Sequence, residues 1–185
     1  MRVSERAFAI SELVVSDEQT NVRTPGVHVS DIIRYIDKAM NEGKEKDNKF
    51  TEDDLELFAI IGRMWEAQIS NAMLKPPRYE RIGEIECDGI ILSPDSIDTK
   101  EWSLQEFKVT WRSARRTIES EFKWLTQVKA YCYALGMCRA SIYALYVNGT
   151  YQPPCPIPKA WDILFSPSEL QDNWNMLLRN KEKMP

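Results

Sequence analysis

The stretch Ser103-Leu104-Gln105-Glu106-Phe107-Lys108-Val109 decides how the rest of this chain is interpreted. Side chains two positions apart on a β-strand lie on the same face, so Glu106 and Lys108 would project together while Phe107 faces the other side. Strands favour β-branched and aromatic residues over Glu and Lys. A carboxylate held beside an ammonium group in an otherwise apolar strand therefore indicates a site with a chemical role.

A second strand-like segment, residues 85–92, carries Asp88 at its centre. If the two strands are neighbours, Asp88 and Glu106 converge on one divalent cation, with Lys108 beside them. Mg²⁺ takes oxygen ligands and usually only one or two carboxylates, and the main-chain carbonyl of Phe107 would add a third oxygen. The same residues also fit an ordinary cross-strand ion pair between Asp88 and Lys108, and these two segments alone do not decide between the two interpretations.

The composition is that of a globular chain of 185 residues, of which 28% are charged and 43% hydrophobic. The length predicts one domain, with an N-terminal arm (1–25), a central part holding the first helices and the site strands (30–136) and a last part of strands and a helix (137–185). No apolar run approaches the roughly 18 residues of a membrane span. Residues 7–15 are interrupted by Glu12 and lack the flanks of a secretory signal, so we expect a cytoplasmic protein without membrane contact.

Cysteine and histidine usage argues against a zinc site. The chain has a single histidine, His28, and four cysteines with no Cys-x-x-Cys pair, which we interpret as reduced core or loop thiols. The net charge of −4 argues against a protein that coats nucleic acid. A local basic groove is still available, because residues 108–129 hold six Lys and Arg against two Glu.

The order of predicted elements is that of an α/β protein, with a mixed sheet and helices packed on it. Two helices come first, over residues 30–42 with Ser30 as N-cap and over residues 51–75 with Thr51 as N-cap. Strands within residues 80–92 bend at Asp88-Gly89, and a polar loop covers residues 93–101. The site strand then runs over residues 102–111.

The C-terminal half of the chain is also predicted to consist of helices and strands. A long helix over residues 117–135 ends at Gly136, and an apolar strand covers residues 140–147. Residues 152–158 contain too many prolines for a central strand and form an extended connector. An edge strand over residues 160–165 is followed by the capping box Ser166-Pro167-Ser168-Glu169, which opens a last helix to residue 179.

An acid-x-Lys tripeptide occurs five times in this chain, so the tripeptide alone identifies nothing. Context favours Glu106-Phe107-Lys108, because it lies in a strand behind an Asp-Gly. Two further features point to a site. Gly62 precedes Glu66 by one turn on the second helix, where a glycine would permit close backbone approach, and Gln127 and Tyr131 share one face of the long helix.

These motifs, taken in order, resemble those of the RecB-type branch of the PD-(D/E)XK nucleases. The motifs are Gly62…Glu66, Asp88-Gly89, Glu106-Phe107-Lys108 and Gln127-Val128-Lys129-Ala130-Tyr131. The branch includes lambda-type phage exonucleases and the exonucleases of CRISPR adaptation. The resemblance implies a restriction-endonuclease-like core, a central mixed sheet flanked by helices.

The resemblance also implies a role for each matching residue. Asp88, Glu106 and the Phe107 carbonyl would bind Mg²⁺ or Mn²⁺, and Glu66 would bind the metal directly or through water. Lys108 would be the catalytic lysine, orienting water and stabilising charge on the phosphate. The remaining catalytic residues, which would support the site or hold the DNA backbone, are Gln127 and Tyr131.

Members of this branch with an iron–sulfur cluster carry one cysteine after the first helix start and three near the C-terminus. Here residues 35–37 hold no cysteine and only Cys138 and Cys155 lie in the C-terminal part, so we expect no cluster and a closer likeness to the cluster-free phage enzymes. The DNA phosphates would be contacted by the basic segment, through Arg112, Arg115, Arg116 and Lys123. Trp111 could stack on a frayed base, whereas Trp124 is better explained by core packing.

The function that this pattern favours is a metal-dependent DNA exonuclease with a one- or two-metal mechanism, encoded by a phage and active in its bacterial host. A structure-specific endonuclease of the same fold is a second hypothesis. A DNA-binding or assembly module without catalysis is a third. Expected partners are DNA together with a second copy of the chain or a phage recombination protein.

Overall fold

The computed structural model of the chain describes residues 24–42, 51–73 and 78–185. The predicted arm over residues 1–25 lies outside the described residues except for its last two. No helix in the described part is both long and apolar enough to cross a lipid bilayer. The helices are α1 (Val29–Met40), α2 (Glu52–Met73), α3 (Phe122–Leu135) and α4 (Pro167–Lys181). The strands are β1 (Tyr79–Glu80), β2 (Ile85–Cys87), β3 (Ile90–Leu92), β4 (Ser96–Asp98), β5 (Ser103–Thr110), β6 (Arg139–Tyr146) and β7 (Ile157–Leu164).

Five strands form a mixed sheet in the order β1-β4-β5-β6-β7. All neighbouring pairs are antiparallel except β5 and β6, which are parallel. Parallel strands need a crossover of a dozen or more residues, and α3 supplies it. The predicted α/β fold with a central mixed sheet and flanking helices is confirmed.

The central strand β5 is buried along most of its length, including its polar residues. Its register with β6 sets Glu106 opposite Ile142 and Lys108 opposite Ala144. These four side chains lie on one face of the sheet, where α1, α3 and α4 pack. The main core cluster lies between these helices and the sheet; it includes Ile32, Ile36, Leu104, Val128, Cys132, Ile142, Trp174 and Leu177.

The hairpin predicted at Asp88-Gly89 is present, but it stands apart from the main sheet. Strands β2 and β3 pair with each other in an antiparallel two-stranded sheet, and Ile91 of β3 also forms a single parallel bridge with His28. The two turn residues have φ angles of 49° and 67°. Consecutive positive φ angles are typical of a two-residue hairpin turn, which is why an Asp-Gly sequence is favoured there.

The prediction of a polar loop over residues 93–101 is wrong, because β4 lies within it. Asp98 is 3% exposed and accepts hydrogen bonds from Arg78 Nε at 2.8 Å and from the N–H groups of Lys100 and Glu101 at 2.9 and 3.1 Å. Because these donors replace water, the carboxylate is buried at little cost. The composition of residues 93–101 does not indicate that Arg78, twenty positions upstream, donates a hydrogen bond to Asp98.

Helix ends follow the sequence signals with small shifts. Gly136 ends α3 with φ 65°, and Ser166 opens α4 with the predicted capping box. The first helix begins earlier than predicted, with His28 rather than Ser30 as N-cap. His28 is buried, and its ring Nε2 lies 2.8 Å from the carbonyl oxygen of Thr24. The long helix begins later than predicted, because residues 118–120 form a short 3₁₀ turn before Phe122.

Candidate active site

The side chains of Glu106 and Lys108 are hydrogen-bonded to each other on the covered face of β5. Lys108 Nζ lies 2.6 Å from Glu106 Oε1. Glu106 is only 1% exposed, and the side chain of Lys108 is 16% exposed. The pair therefore lies where water is largely excluded, and electrostatic interactions there are stronger than at the surface.

Helix α3 supplies the next two groups of the site. Lys108 Nζ also donates to Gln127 Oε1 at 2.8 Å, and Gln127 Nε2 donates to the hydroxyl of Tyr131 at 2.7 Å. Gln127 and Tyr131 are one turn apart on the helix, so they share a face. Burial raises the pKa of Tyr131 well above its ordinary value, so this hydroxyl stays protonated. The structure thus brings together Glu106, Lys108, Gln127 and Tyr131, as the sequence predicted.

The second acid of the site is Asp95, which the sequence reasoning missed. Asp95 Oδ2 accepts a hydrogen bond from the main-chain N–H of Phe107 at 2.7 Å. This contact fixes the carboxylate beside the strand position between Glu106 and Lys108. Burial raises the pKa of Asp95, and the charge of Lys108 acts against that increase.

The two carboxyl groups influence each other. Burial, and after it the charge of Asp95, raises the pKa of Glu106 to about 8, whereas Lys108 acts to lower it. Two carboxylates close together in a buried site cannot both ionise easily. The metal-free protein therefore holds a proton in this pair near neutral pH.

Asp88, the acid predicted to meet Glu106, is directed elsewhere. The premise that its strand neighbours β5 is wrong, because β2 and β3 form a separate hairpin. Asp88 Oδ2 accepts a hydrogen bond from Trp174 Nε1 at 2.8 Å, and its main-chain oxygen accepts one from Lys181 Nζ at 2.8 Å. These contacts join the hairpin to α4, so the structure gives Asp88 a role in packing the hairpin.

A sequence signal for Asp95 was present. Pro94-Asp95 precedes Glu106-Phe107-Lys108 along the chain, and together they spell the signature that names the nuclease superfamily. Because residues 93–101 were predicted to form a polar loop, Asp95 was not considered as a neighbour of the site strand. An acid at the start of a strand paired with β5 is better placed than one in a separate hairpin.

Glu66 and Gly62 lie in α2, as predicted, but the side chain of Glu66 falls outside the described part of the structure. A Cβ atom at Gly62 would meet no described atom within 4 Å. The close backbone approach that this glycine was expected to permit is therefore not seen among the described residues.

The donor set fits a hard divalent cation. Glu106 Oε2 is buried and has no hydrogen-bond partner among the described residues. An orphaned buried oxygen of this kind is rare and calls for an ion or water partner. With the carboxylate of Asp95 nearby, the oxygen-only donors suit Mg²⁺ or Mn²⁺. No group of three His, Cys, Asp or Glu side chains in the described ranges forms a metal cluster, so further ligands would be main-chain oxygens, water or Glu66.

A cleft of about 290 Å³ opens at Lys108 between α1 and α3. It is lined by Ser30, Ile33, Arg34, Lys108, Lys123, Trp124 and Gln127. Lys123 Nζ lies 2.7 Å from Asp37 Oδ2, so this ion pair joins the two helices beside the cleft. A larger cavity of about 510 Å³ includes Gln105 and Tyr143 on the opposite face of the sheet. The smaller cleft is the candidate site, because it is the one that contains Lys108 and Gln127.

The basic residues predicted to contact DNA have different surroundings. Arg112 and Arg116 both pair with the buried Glu121, Lys123 lines the cleft, and Arg115 is exposed. The ring of Trp111 lies 4.1 Å from that of Phe58 in α2. The ring centroid of Trp124 lies 6.3 Å from that of Tyr146, which agrees with the packing role expected for this residue.

The fold is similar to solved structures at low sequence identity. A crystal structure of SSO0001 gives a TM-score of 0.54 at 13% identity, covering 92% of this chain and 81% of that one. An alkaline exonuclease from Laribacter hongkongensis, LHK-Exo, gives 0.52 at 10% identity, covering 85% and 87%. Its complex with dAMP gives 0.51 at 11% identity with the same coverage. No protein-family model and no curated protein matches the sequence. These solved structures share the fold that the motif resemblance implied.

Proposed function

We propose that residues 1–185 act as one nuclease domain, a DNA exonuclease that depends on Mg²⁺ or Mn²⁺. The observation that carries the proposal is the cluster of Asp95, Glu106 and Lys108, in which Glu106 is fully buried and the other two are partly buried, beside an open cleft. Two of the similar folds belong to one exonuclease, in one case with dAMP bound. That likeness supports the reaction class, and the site chemistry of this chain supports it independently.

The metal ligands that we propose are Asp95 and Glu106, with the Phe107 carbonyl and Glu66 as further candidates. Asp95 takes the place that the sequence analysis gave to Asp88, because it is the acid held beside Glu106. A bound Mg²⁺ or Mn²⁺ supplies Lewis-acid polarisation of a phosphoryl oxygen and lowers the pKa of its water. The role of these residues is to hold that ion in one geometry, whether one or two ions bind.

Lys108 is the proposed catalytic lysine. Its ammonium is held between Glu106 and Gln127 at the inner end of the cleft, where it can orient a water molecule and stabilise negative charge on the reacting phosphate. Gln127 sets the direction of this ammonium, and Tyr131 in turn fixes the amide of Gln127. Each group is held by the next, so the arrangement exists before substrate binds.

The proposed substrate is DNA, bound with its terminal nucleotides in the cleft. Arg34 and Lys123 line that cleft and would face the phosphates, and Arg112, Arg115 and Arg116 would contact the strand farther out. Cations at these positions supply affinity without sequence preference. An exonuclease needs this property, since it must act on every sequence.

The test compares the wild-type protein with Lys108→Ala on linear and on closed circular DNA, with Mn²⁺ or with EDTA. We expect Mn²⁺-dependent loss of linear DNA only, abolished by the substitution. Arg139→Ala is a matched control, because it removes an exposed cation from the opposite face of the sheet. Cleavage of closed circles would indicate an endonuclease, and binding without any cleavage would indicate a non-catalytic module.

A further inference from the structure

Glu121 is a buried carboxylate with two arginines as its partners. It directly precedes α3 and is 2% exposed. Its Oε2 accepts a hydrogen bond from Arg112 Nη1 at 2.8 Å, and its Oε1 accepts one from Arg116 Nε at 2.5 Å. A buried carboxylate needs such partners, since an unpaired buried charge is strongly destabilising.

The two arginines themselves are not buried. The side chain of Arg112 is 51% exposed and that of Arg116 is 42% exposed. A guanidinium has five N–H donors in a rigid planar fork. Glu121 and a contact from Arg116 Nη2 to the Ser120 carbonyl at 3.3 Å use a minority of them. The inner edges of both forks are therefore fixed while their outer donors face solvent.

A second polar group lies close to this cluster. The hydroxyl of Tyr146 is buried and has no hydrogen-bond partner among the described residues. Burial raises the pKa of Tyr146, and the charges of Glu121, Arg116 and Arg112 also act on it. The cluster thus combines two exposed cationic forks with a nearby buried hydroxyl that is not hydrogen-bonded.

The cluster is joined to the catalytic elements at both ends. Arg112 follows Lys108 by four residues, and Glu121 precedes Gln127 by six residues on the way into α3. Four extended residues span at most about 14 Å. Successive phosphates of one strand are about 3.4 Å apart along the axis of B-DNA. A phosphate held at Arg112 and Arg116 would therefore lie within a few nucleotides of the bond cleaved at Lys108.

We propose that Glu121 is a positioning residue, which fixes Arg112 and Arg116 as a two-armed clamp for one DNA backbone phosphate a few nucleotides from the cleaved bond. The inference rests on the proposed function and assigns different roles to the basic residues. Arg112 and Arg116 are oriented in advance, whereas Arg115, whose exposed side chain is not held by Glu121, contributes only general attraction.

The distinguishing test is the sign of the effect of Glu121→Gln on DNA affinity. Neutralising an acid beside a DNA-binding surface tightens binding if only net charge matters, because the protein becomes more positive. If Glu121 orients the clamp, the same substitution weakens binding. We expect the Kd for a fluorescein-labelled oligonucleotide, measured by anisotropy with Ca²⁺ in place of Mn²⁺, to rise about threefold to tenfold. Glu119→Gln, an exposed neighbour, is the matched control and should leave Kd unchanged or lower it.

A second variant keeps the inference testable if Glu121→Gln does not fold. The double substitution of Arg112 and Arg116 by Lys keeps both charges and removes the forks. It should weaken binding to a similar extent while the slope of log Kd against log salt concentration stays close to that of the wild type. The double substitution by Ala should reduce that slope by about 0.7 to 0.9, because one phosphate is then no longer neutralised by the protein.

In cleavage assays with Mn²⁺, Glu121→Gln should raise KM for DNA more than it lowers kcat. Equal or tighter binding by Glu121→Gln, or undiminished binding by the double Lys variant, would overturn the clamp. Binding with Ca²⁺ and cleavage with Mn²⁺ are measured separately. A chain that binds through the clamp but does not cut therefore contradicts the proposed nuclease without contradicting the role of Glu121.

Discussion

The ammonium of Lys108 donates to the side-chain oxygen of Gln127 at 2.8 Å, and this hydrogen bond joins the central strand to α3. If Lys108 is the catalytic lysine that we propose, this contact holds its ammonium group in one direction before substrate binds. Lys108→Ala should lower kcat by about 100-fold to 1000-fold, the usual effect of losing one donor to developing charge. Gln127→Ala should lower it by about tenfold, as expected for a residue that orients another. Single-turnover cleavage of linear DNA measures both, and equal losses would contradict this order.

The two candidate acids can be separated by matched substitutions. Asp95→Asn removes a charge next to Glu106 and should lower kcat/KM by about 100-fold or more, together with Mn²⁺ affinity. Asp88→Asn keeps an oxygen that can accept from Trp174 Nε1 and should cut DNA at nearly the wild-type rate. Mn²⁺ binding by calorimetry and DNA cleavage check both variants. The reverse order of effects would restore Asp88 as the metal ligand.

The contact between α4 and the hairpin predicts a stability effect without a catalytic one. Trp174→Phe removes the hydrogen bond to Asp88 and keeps a ring to pack on Tyr133, whose centroid lies 4.8 Å away. The expected loss in the free energy of unfolding is about 1 kcal/mol, the net value of one such bond, with some further loss from the smaller side chain. Urea unfolding measures it. Unchanged stability would mean that water replaces the indole N–H without cost.

Buried Glu106 predicts an unusual pH dependence of stability. Its pKa is raised to about 8 in the folded protein, so between its ordinary value and pH 8 the folded state binds more protons than the unfolded state. The contribution of this bound proton to the stability of the folded state is fully present below the ordinary pKa of a Glu side chain. It is lost as the pH rises through about 8, the pKa of Glu106 in the folded protein. The metal-free protein should therefore have a Tm that falls between pH 5 and pH 8.

Divalent cations should reverse that trend, because a carboxylate must lose its proton to bind metal. Mn²⁺ should raise the Tm increasingly from pH 6 to pH 8.5. Glu106→Gln should reduce both the fall in Tm and the Mn²⁺ effect. Differential scanning fluorimetry across this pH range decides the matter, and a Tm that rises with pH in EDTA would contradict the buried, protonated carboxyl group.

Sequence reasoning was sufficient where the determining interactions are local. The caps at Gly136 and Ser166, the hairpin at Asp88-Gly89 and the alternation around Glu106 each depend on residues a few positions apart. The ordered motifs also led to a fold that the solved structures share. What failed was long-range pairing. Burial of Asp98 in β4 depends on Arg78, the residue before β1, and neither hydrophobic periodicity nor a dipeptide motif indicates that contact.

The expectation that Asp88 would meet Glu106 failed for the same reason. Asp88 and Asp95 both lie in short segments upstream of Glu106, and only the pairing of strands determines which of them reaches it. The separate hairpin removes Asp88 from the site, and the β4–β5 ladder brings Asp95 to it. The Pro94-Asp95 dipeptide was the better evidence, because it belongs to the segment that pairs with β5.

The ladder between β4 and β5 ends at the pair Ser96–Gln105, and beyond it the side chain of Asp95 accepts the hydrogen bond of Phe107. A slip of one residue in this pairing would turn every β4 side chain to the other face. Asp95 would then point away from Glu106, and the orphaned oxygen of Glu106 would have no acid beside it. A chain that folds in the wrong alignment would therefore lose the pair of acids on which the proposed nuclease depends, so the strand pairing that builds the sheet also assembles the candidate site.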